Sequence, residues 1–230
     1  MSHRPCTMAG MRAQDAPFRP YWVATNLSEA GVEARSGEGT YGAYAFEDLP
    51  PVPFAMTGDL DWLARQPVQE ECAIRADVAE PLAALLAECE RDRVPLPPAF
   101  TRFMGSPELQ RRIRSNTSCY LDLDAGSVPV AGGGRLIRFL ADQQGCLFWY
   151  LFVAEDGSDH AVACSIECFD SEEDELAEEP EAVCFCAESF ETFLCRYWLE
   201  NEIWFAADDG TAMPEVGAEY IERYRSMAGY

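Results

Sequence analysis

Few residues in this chain are of a kind and spacing to do chemistry. There are two histidines in 230 residues. His3 lies near the N-terminus. His160 and Cys164 share a strand-like run, and four positions along a strand set them on one face about 13 Å apart, too far for a nucleophile–base hydrogen bond. Asp122-x-Asp124 could hold a divalent cation; equally, it could be two outward carboxylates at a strand end. Asp170, Glu172, Asp174, Glu178 and Glu181 echo the spacing of a calcium loop, but Glu175 stands where that loop needs Gly. Gly132-Gly133-Gly134 is followed by no Lys, Ser or Thr that could hold a phosphate, so it reads as a hinge. Cys164-x3-Cys168 with Cys184-x-Cys186 is a zinc candidate by residue type, though neither spacing matches the paired knuckles of zinc sites. No catalytic set emerges, and neither metal nor cofactor is expected.

The better candidates are polar residues suited to contact. Asp142, Gln143 and Gln144 fall at a strand end, with Trp149 on the next strand. Glu200-Asn201-Glu202 interrupts an aromatic helix beside Trp198 and Trp204. The acidic run adds Asp170, Glu172, Glu173, Asp174, Glu175, Glu178 and Glu179. Exposed Trp rimmed by acids would anchor a protein interface. The plainer alternative is that Trp198 and Trp204 are core and that Glu200 and Glu202 are merely solvated.

The elements that position these residues are legible from residue 135 onward. Cys146 to Val153 is a short, nearly continuous apolar run rich in aromatic residues, which suits a strand buried on both faces. Gly145 and Gly157 mark short links to its neighbours. Links that short permit only antiparallel pairing, since a parallel crossover needs roughly a dozen residues or more. The strand of Leu136 and Ile137 thus pairs with that of Trp149, which pairs with that of Val162. A helix begins at Ser189 as cap, with Glu191 in its first turn and Phe190, Phe193, Leu194, Tyr197, Trp204 and Phe205 as an apolar stripe. Earlier, Glu80 to Arg91 predicts a helix with Leu82, Leu85, Leu86 and Cys89 inward. Ser106-Pro107 starts a short helix through Ile113, and Cys119 to Leu123 alternates as a strand. Tyr21–Ala24 and Tyr41–Phe46 are candidate strands, and Asp59 to Arg65 a short helix with Leu60 and Leu63 inward. Pro214 to Met227 predicts the last helix, with Val216, Tyr220, Ile221, Tyr224 and Met227 as its buried face. Met1 to Arg19 reads as a loose tail, and residues 20–230 as one α+β domain: an antiparallel sheet built on a central meander, with helices against it.

Bulk properties narrow the function. An apolar fraction of 48% with five Trp argues against disorder. No apolar run is long enough to span a bilayer, and no signal peptide is evident, so a cytoplasmic protein is expected. Ten cysteines, most inside apolar runs, suit a reducing compartment. The net charge is −23, and all 17 basic residues are Arg. Such acidity repels nucleic acid and favours basic partners; it would also serve solubility alone.

Three blocks resemble the SUKH superfamily, which includes the yeast Smi/Knr-like regulators and many bacterial immunity proteins. Leu96-Pro97-Pro98-Ala99-Phe100-Thr101-Arg102-Phe103-Met104 is similar to its Leu-Pro-x-x-Tyr/Phe-x-x-Phe-Leu block. Asp142-Gln143-Gln144 with Trp149-Tyr150-Leu151 matches its meander. Ala187-Glu188-Ser189-Phe190-Glu191-Thr192-Phe193-Leu194 is similar to its Ala-x-Ser-Phe-x-x-Phe-Leu helix start. The resemblance covers roughly residues 80–206. It departs after Met104, where Gly105-Ser106-Pro107 replaces a Gly-Gly turn, and residues 1–75 have no counterpart. It implies a non-catalytic binding protein, an immunity protein that occupies a cognate and possibly basic toxin domain. A regulatory interaction module without a toxin partner is the alternative. A metal-dependent hydrolase using Asp122, Asp124 and the acidic run is a third, weaker alternative.

Overall fold

The computed structural model describes residues 9–34, 40–123, 126–130, 133–169 and 182–228. The predicted meander forms its centre. Strands β6 (Arg135–Ala141), β7 (Phe148–Val153) and β8 (Asp159–Ser165) pair antiparallel in chain order. Leu136 faces Phe152, which faces Ala161. Every residue of β7 is buried, which is why its sequence shows no alternation: both faces of the sheet are covered. Gly157 sits at φ +66° in the β7–β8 turn, and a Cβ there would come within 2.4 Å of Pro95. This position therefore needs glycine for conformation and for space.

Beyond the meander the sheet is mixed. Its order is β3-β2-β9-β8-β7-β6-β4, where β2 is Arg19–Thr25, β3 Tyr41–Ala45, β4 Tyr120–Leu121 and β9 Cys184–Ala187. β2 pairs with β3 antiparallel and with β9 parallel. The short strands β1 (Ala9–Gly10) and β5 (Ser127–Pro129) pair with β8 and β6. The parallel contacts at β1 and β2 come from the segment before residue 75. Their partners lie far along the chain, so no local turn in the sequence announces them. The predicted loose tail is corrected from Ala9 onward: β1 joins the sheet, and Met11 and Phe18 are buried. Residues 1–8 lie outside the described residues.

Helices α1 (Asp61–Ala64), α2 (Ala79–Asp92), α3 (Pro98–Met104), α4 (Pro107–Gln110), α5 (Phe190–Asp208) and α6 (Glu215–Ala228) complete the α+β fold. In α2, Leu82, Leu85 and Cys89 point inward as predicted, while Leu86 is exposed. Ser106 caps α4 by accepting the Leu109 N–H. The helix stops at Gln110 rather than Ile113: beyond it the backbone bonds tighten to i→i−3, Arg112 to Leu109 and Ile113 to Gln110, while the buried Gln110 amide donates to the Phe103 and Met104 carbonyls. In α6, Tyr220, Ile221 and Tyr224 are buried, and Met227 is exposed.

One face of the sheet carries α5. Phe193 meets Trp22, Phe139 and Trp149 edge-on or tilted at 5.5–6.3 Å, and stacks on Tyr197 at 5.6 Å. Each fully buried aromatic of this kind contributes on the order of 1.5–3 kcal/mol. The core on this face runs from Trp22 to Tyr224. A second cluster, including Phe18, Tyr150, Phe152 and Phe185, fills the opposite face. The expected single apolar stripe of α5 proves too narrow. Trp198 packs against Phe54 and Trp62, so a second layer covers the side of the helix away from the sheet.

Candidate partner-binding site

The polar residues on α5 are internal fasteners. Glu200 is fully buried; its carboxylate accepts the Trp22 indole N–H at 2.8 Å and the Tyr220 hydroxyl at 2.7 Å. Arg196 donates to that same hydroxyl at 2.8 Å and to the Pro50 carbonyl at 2.9 Å. One turn of α5 thereby ties down β2, α6 and the proline-rich loop. Burial pushes the Glu200 carboxyl up to about 7, against the opposing pull of Arg196 and its two hydrogen-bond donors. Asn201 accepts the Asn116 N–H and donates to the Tyr197 carbonyl, both at 2.9 Å. Glu202 receives Arg114 through two bonds of 2.9 Å, and the same guanidinium lies 3.9 Å over the Phe205 ring.

These contacts correct several of the interface expectations. Trp149, Trp198, Glu200 and Asn201 are buried, so none is an exposed anchor. Neither Glu200 nor Glu202 is merely solvated. Trp204 is half-buried and edge-on to Phe205 at 5.2 Å. Asp142 is buried too. Its carboxylate accepts the Gln144 and Cys146 N–H groups and the Tyr41 hydroxyl, the last at 2.8 Å. Asp142 therefore builds the β6–β7 turn and ties it to β3, while Gln143 and Gln144 stay exposed. Asp170, Glu172, Glu173, Asp174, Glu175, Glu178 and Glu179 lie outside the described residues.

The strand register shows what surrounds that turn. Phe148 pairs with Ser165, Tyr120 with Ala141 and Cys164 with Cys184. Gln143, Gln144, Tyr120, Ile166 and the chain on either side of the acidic run therefore share one end of the sheet. Ile166 is 74% exposed and Tyr120 41%. Sequence reasoning missed Ile166. Its only signal is position, as the apolar residue that follows the last paired residue of β8.

The metal candidates separate. Asp122 pairs with Arg138 at 2.8 Å, so its carboxylate is already engaged by a cation, and Asp124 lies outside the described residues. Cys168 receives a hydrogen bond from Arg138 at 2.7 Å, whereas Cys164 and Cys186 belong to the core beneath α5. The four cysteines of the zinc spacing are thus split between two environments. Among the described residues no group of three His, Cys, Asp or Glu could hold a metal ion.

At the opposite end of the sheet a cleft of about 520 Å³ opens beside the start of α5, lined by His160, Glu188, Ser189 and Glu191 among others. Its polar groups serve the fold. Ser189 caps α5 through the Thr192 N–H. Glu191 accepts the Gly58 and Leu60 N–H groups, and His160 Nε2 accepts the Phe190 N–H. His160 and Glu191 are thus acceptors that hold backbone in place.

No family model matches the chain, and no curated protein or solved structure is detectably similar to it. Among the described residues no helix is long and apolar enough to cross a membrane.

Proposed function

We propose that the chain is a non-catalytic binding protein, an immunity protein of the SUKH type that neutralises a cognate toxin by protein–protein contact in the cytoplasm. The observation that carries this reading is the placement of charge. The net charge is −23, and many of the arginines are committed to partners within the chain. Arg114 grips Glu202, Arg138 pairs with Asp122, and Arg135 reaches Glu88 and Asp92. Arg196 is buried, and Arg225 donates to the Ala30 and Gly31 carbonyls. The uncompensated surface charge is therefore negative, which steers a basic, nucleic-acid-targeting partner into encounter and matches the phosphate charge it binds. The sheet end bearing Gln143, Gln144, Tyr120 and Ile166 offers apolar contact through the exposed Ile166 and Tyr120. The three SUKH-like blocks support the same reading.

The test is affinity capture by the tagged full chain from its own host, at low and high salt. The reading expects one basic toxin-like protein that stays bound through moderate salt. A housekeeping protein as the retained partner would overturn it in favour of a regulatory module of the Smi/Knr type.

A further inference from the structure

Strands β8 and β9 set three cysteines on one face of the sheet. Cys164 stands directly opposite Cys184 in the antiparallel register. That register slips by one residue between Val162 and Ala163, so Cys186 and Ala187 together oppose Val162. Strand alternation sets Cys186 on the same face as Cys184, in the core that holds Cys164, and the bulge adds Ala187 to that face. Cys184 packs against that core from its edge. On its other side β9 pairs with β2, where Arg19 is the direct neighbour of Cys184. Cys164 and Cys186 are buried, while Cys184 is half-buried.

We propose that Cys184 and Cys164 form a redox-active dithiol, in which a hydroperoxide oxidises Cys184 and Cys164 then closes a cross-strand disulfide.

Register alone brings the pair within bonding reach. Directly opposed residues of an antiparallel pair have Cα atoms about 4.5 or 5.5 Å apart, and both separations fall inside the roughly 4.4–6.8 Å that a disulfide spans. Facing Cβ atoms lie about 4.5–5.5 Å apart against roughly 3.5–4.5 Å in a disulfide, so closure draws the two strands together by about 1 Å. The two thiols are also differentiated. The hydrogen bond from Cys164 pulls the Cys184 thiol down to about 7, opposed by burial and assisted by the Arg19 charge. Around neutral pH a large share of Cys184 is then thiolate, the nucleophilic form. Cys164 is pushed the other way by its contacts with Cys184 and Cys186 and by burial, and it holds its proton. Accessibility and thiolate character thus fall on Cys184, and the resolving role on Cys164.

The chemistry balances in two steps. The Cys184 thiolate attacks the distal oxygen of the hydroperoxide. An S–O bond forms, the O–O bond breaks, sulfur gives up two electrons, and the alkoxide or hydroxide leaves with a solvent proton. The Cys164 sulfur then attacks the sulfenic sulfur. An S–S bond forms, the S–O bond breaks, and the departing hydroxide takes the Cys164 proton as water. An external dithiol such as dithiothreitol reverses the change. Cys186 is offset along β9 and is not directly opposite Cys164, so it is dispensable for closure.

The test treats the reduced, folded full chain with about one equivalent of hydrogen peroxide and maps its peptides by mass spectrometry without reduction. The expected result is a Cys164–Cys184 cross-linked peptide pair, two hydrogens lighter than the free peptides, which disappears on adding dithiothreitol. In Cys164→Ser the same treatment should leave a sulfenic acid at Cys184 that a dimedone probe traps, and Cys186→Ser should still cross-link. Oxidation confined to the exposed Cys72, Cys146 and Cys168 would overturn the proposal. So would a cross-link that appears only in urea. The wild-type map decides the matter even if a variant fails to fold.

Discussion

Trp22 and Glu200 lie 178 positions apart and are joined by an indole-to-carboxylate hydrogen bond of 2.8 Å. Trp22 is in β2 and Glu200 in the middle of α5, so the bond fixes the N-terminal part of the sheet to its principal helix. The carboxylate also holds Tyr220 of α6. A single ionisable group thus connects three parts of the chain inside the core.

That group makes stability depend on pH. The Glu200 carboxyl is raised from 4.5 to about 7 in the folded protein. Its contribution is fully present below the unfolded value, where both states are protonated. It is lost as pH rises through the folded value, because the unfolded chain releases the proton more readily. Between pH 5 and pH 8 the loss should be about 2–3 kcal/mol. Glu200→Gln removes the titration; at low pH the amide replaces a protonated carboxyl that already presents one donor and one acceptor, so the cost there should stay under about 1 kcal/mol. Urea unfolding of both proteins at the two pH values checks this. Equal pH dependence in the two would show that Glu200 is not the titrating group.

Asn201 predicts a different outcome, free of pH. It accepts one backbone N–H and donates to one carbonyl. Asn201→Leu nearly preserves volume but strands the Asn116 N–H, at a cost of about 1–3 kcal/mol. Denaturant midpoints should fall by the same free energy at pH 5 and pH 8. An unchanged midpoint would mean that water replaces the lost acceptor.

At the β6–β7 turn, Asp142→Ala removes an acceptor from two turn amides and from Tyr41. The expected loss is roughly 2–4 kcal/mol, while Tyr41→Phe should cost about 1 kcal/mol. Because the residues are directly bonded, the double variant should be less destabilised than the sum of the two, by about 1 kcal/mol. Additivity within about 0.3 kcal/mol would mean that the turn holds without β3.

What the sequence disclosed follows from the range of its interactions. The meander, the Ser189 cap and α2 were legible because periodicity, short glycine-bearing links and capping residues are local signals. The parallel partnership of β2 with β9 was not, since it joins Arg19 to Cys184 and Pro20 to Phe185 across most of the chain. The buried members of the candidate site were misread for a related reason. Glu200, Asn201 and Asp142 are polar, and polarity suggested exposure, but each is buried against a partner supplied by a distant segment. Trp149 and Trp198 carry no residue-type signal that separates a core ring from an interface ring. Ile166 shows the reverse case, an apolar residue left outside because the strand pairing ends at Ser165.

Ile166 provides a test of where the proposed partner would dock. At 74% exposure it contributes little to the core, so Ile166→Ser should leave stability within about 0.5 kcal/mol of wild type. If the sheet end meets the partner, burying this side chain contributes about 1.5–3 kcal/mol to the complex. Its loss should then weaken binding of the captured partner by roughly ten- to a hundredfold. The loss should persist at high salt, because the contact is apolar, whereas neutralising surface acids should act mainly on association rate and fade as salt rises. Calorimetric titration of wild type and Ile166→Ser at two salt concentrations separates these effects. Equal affinities at both concentrations would move the interface away from this end of the sheet.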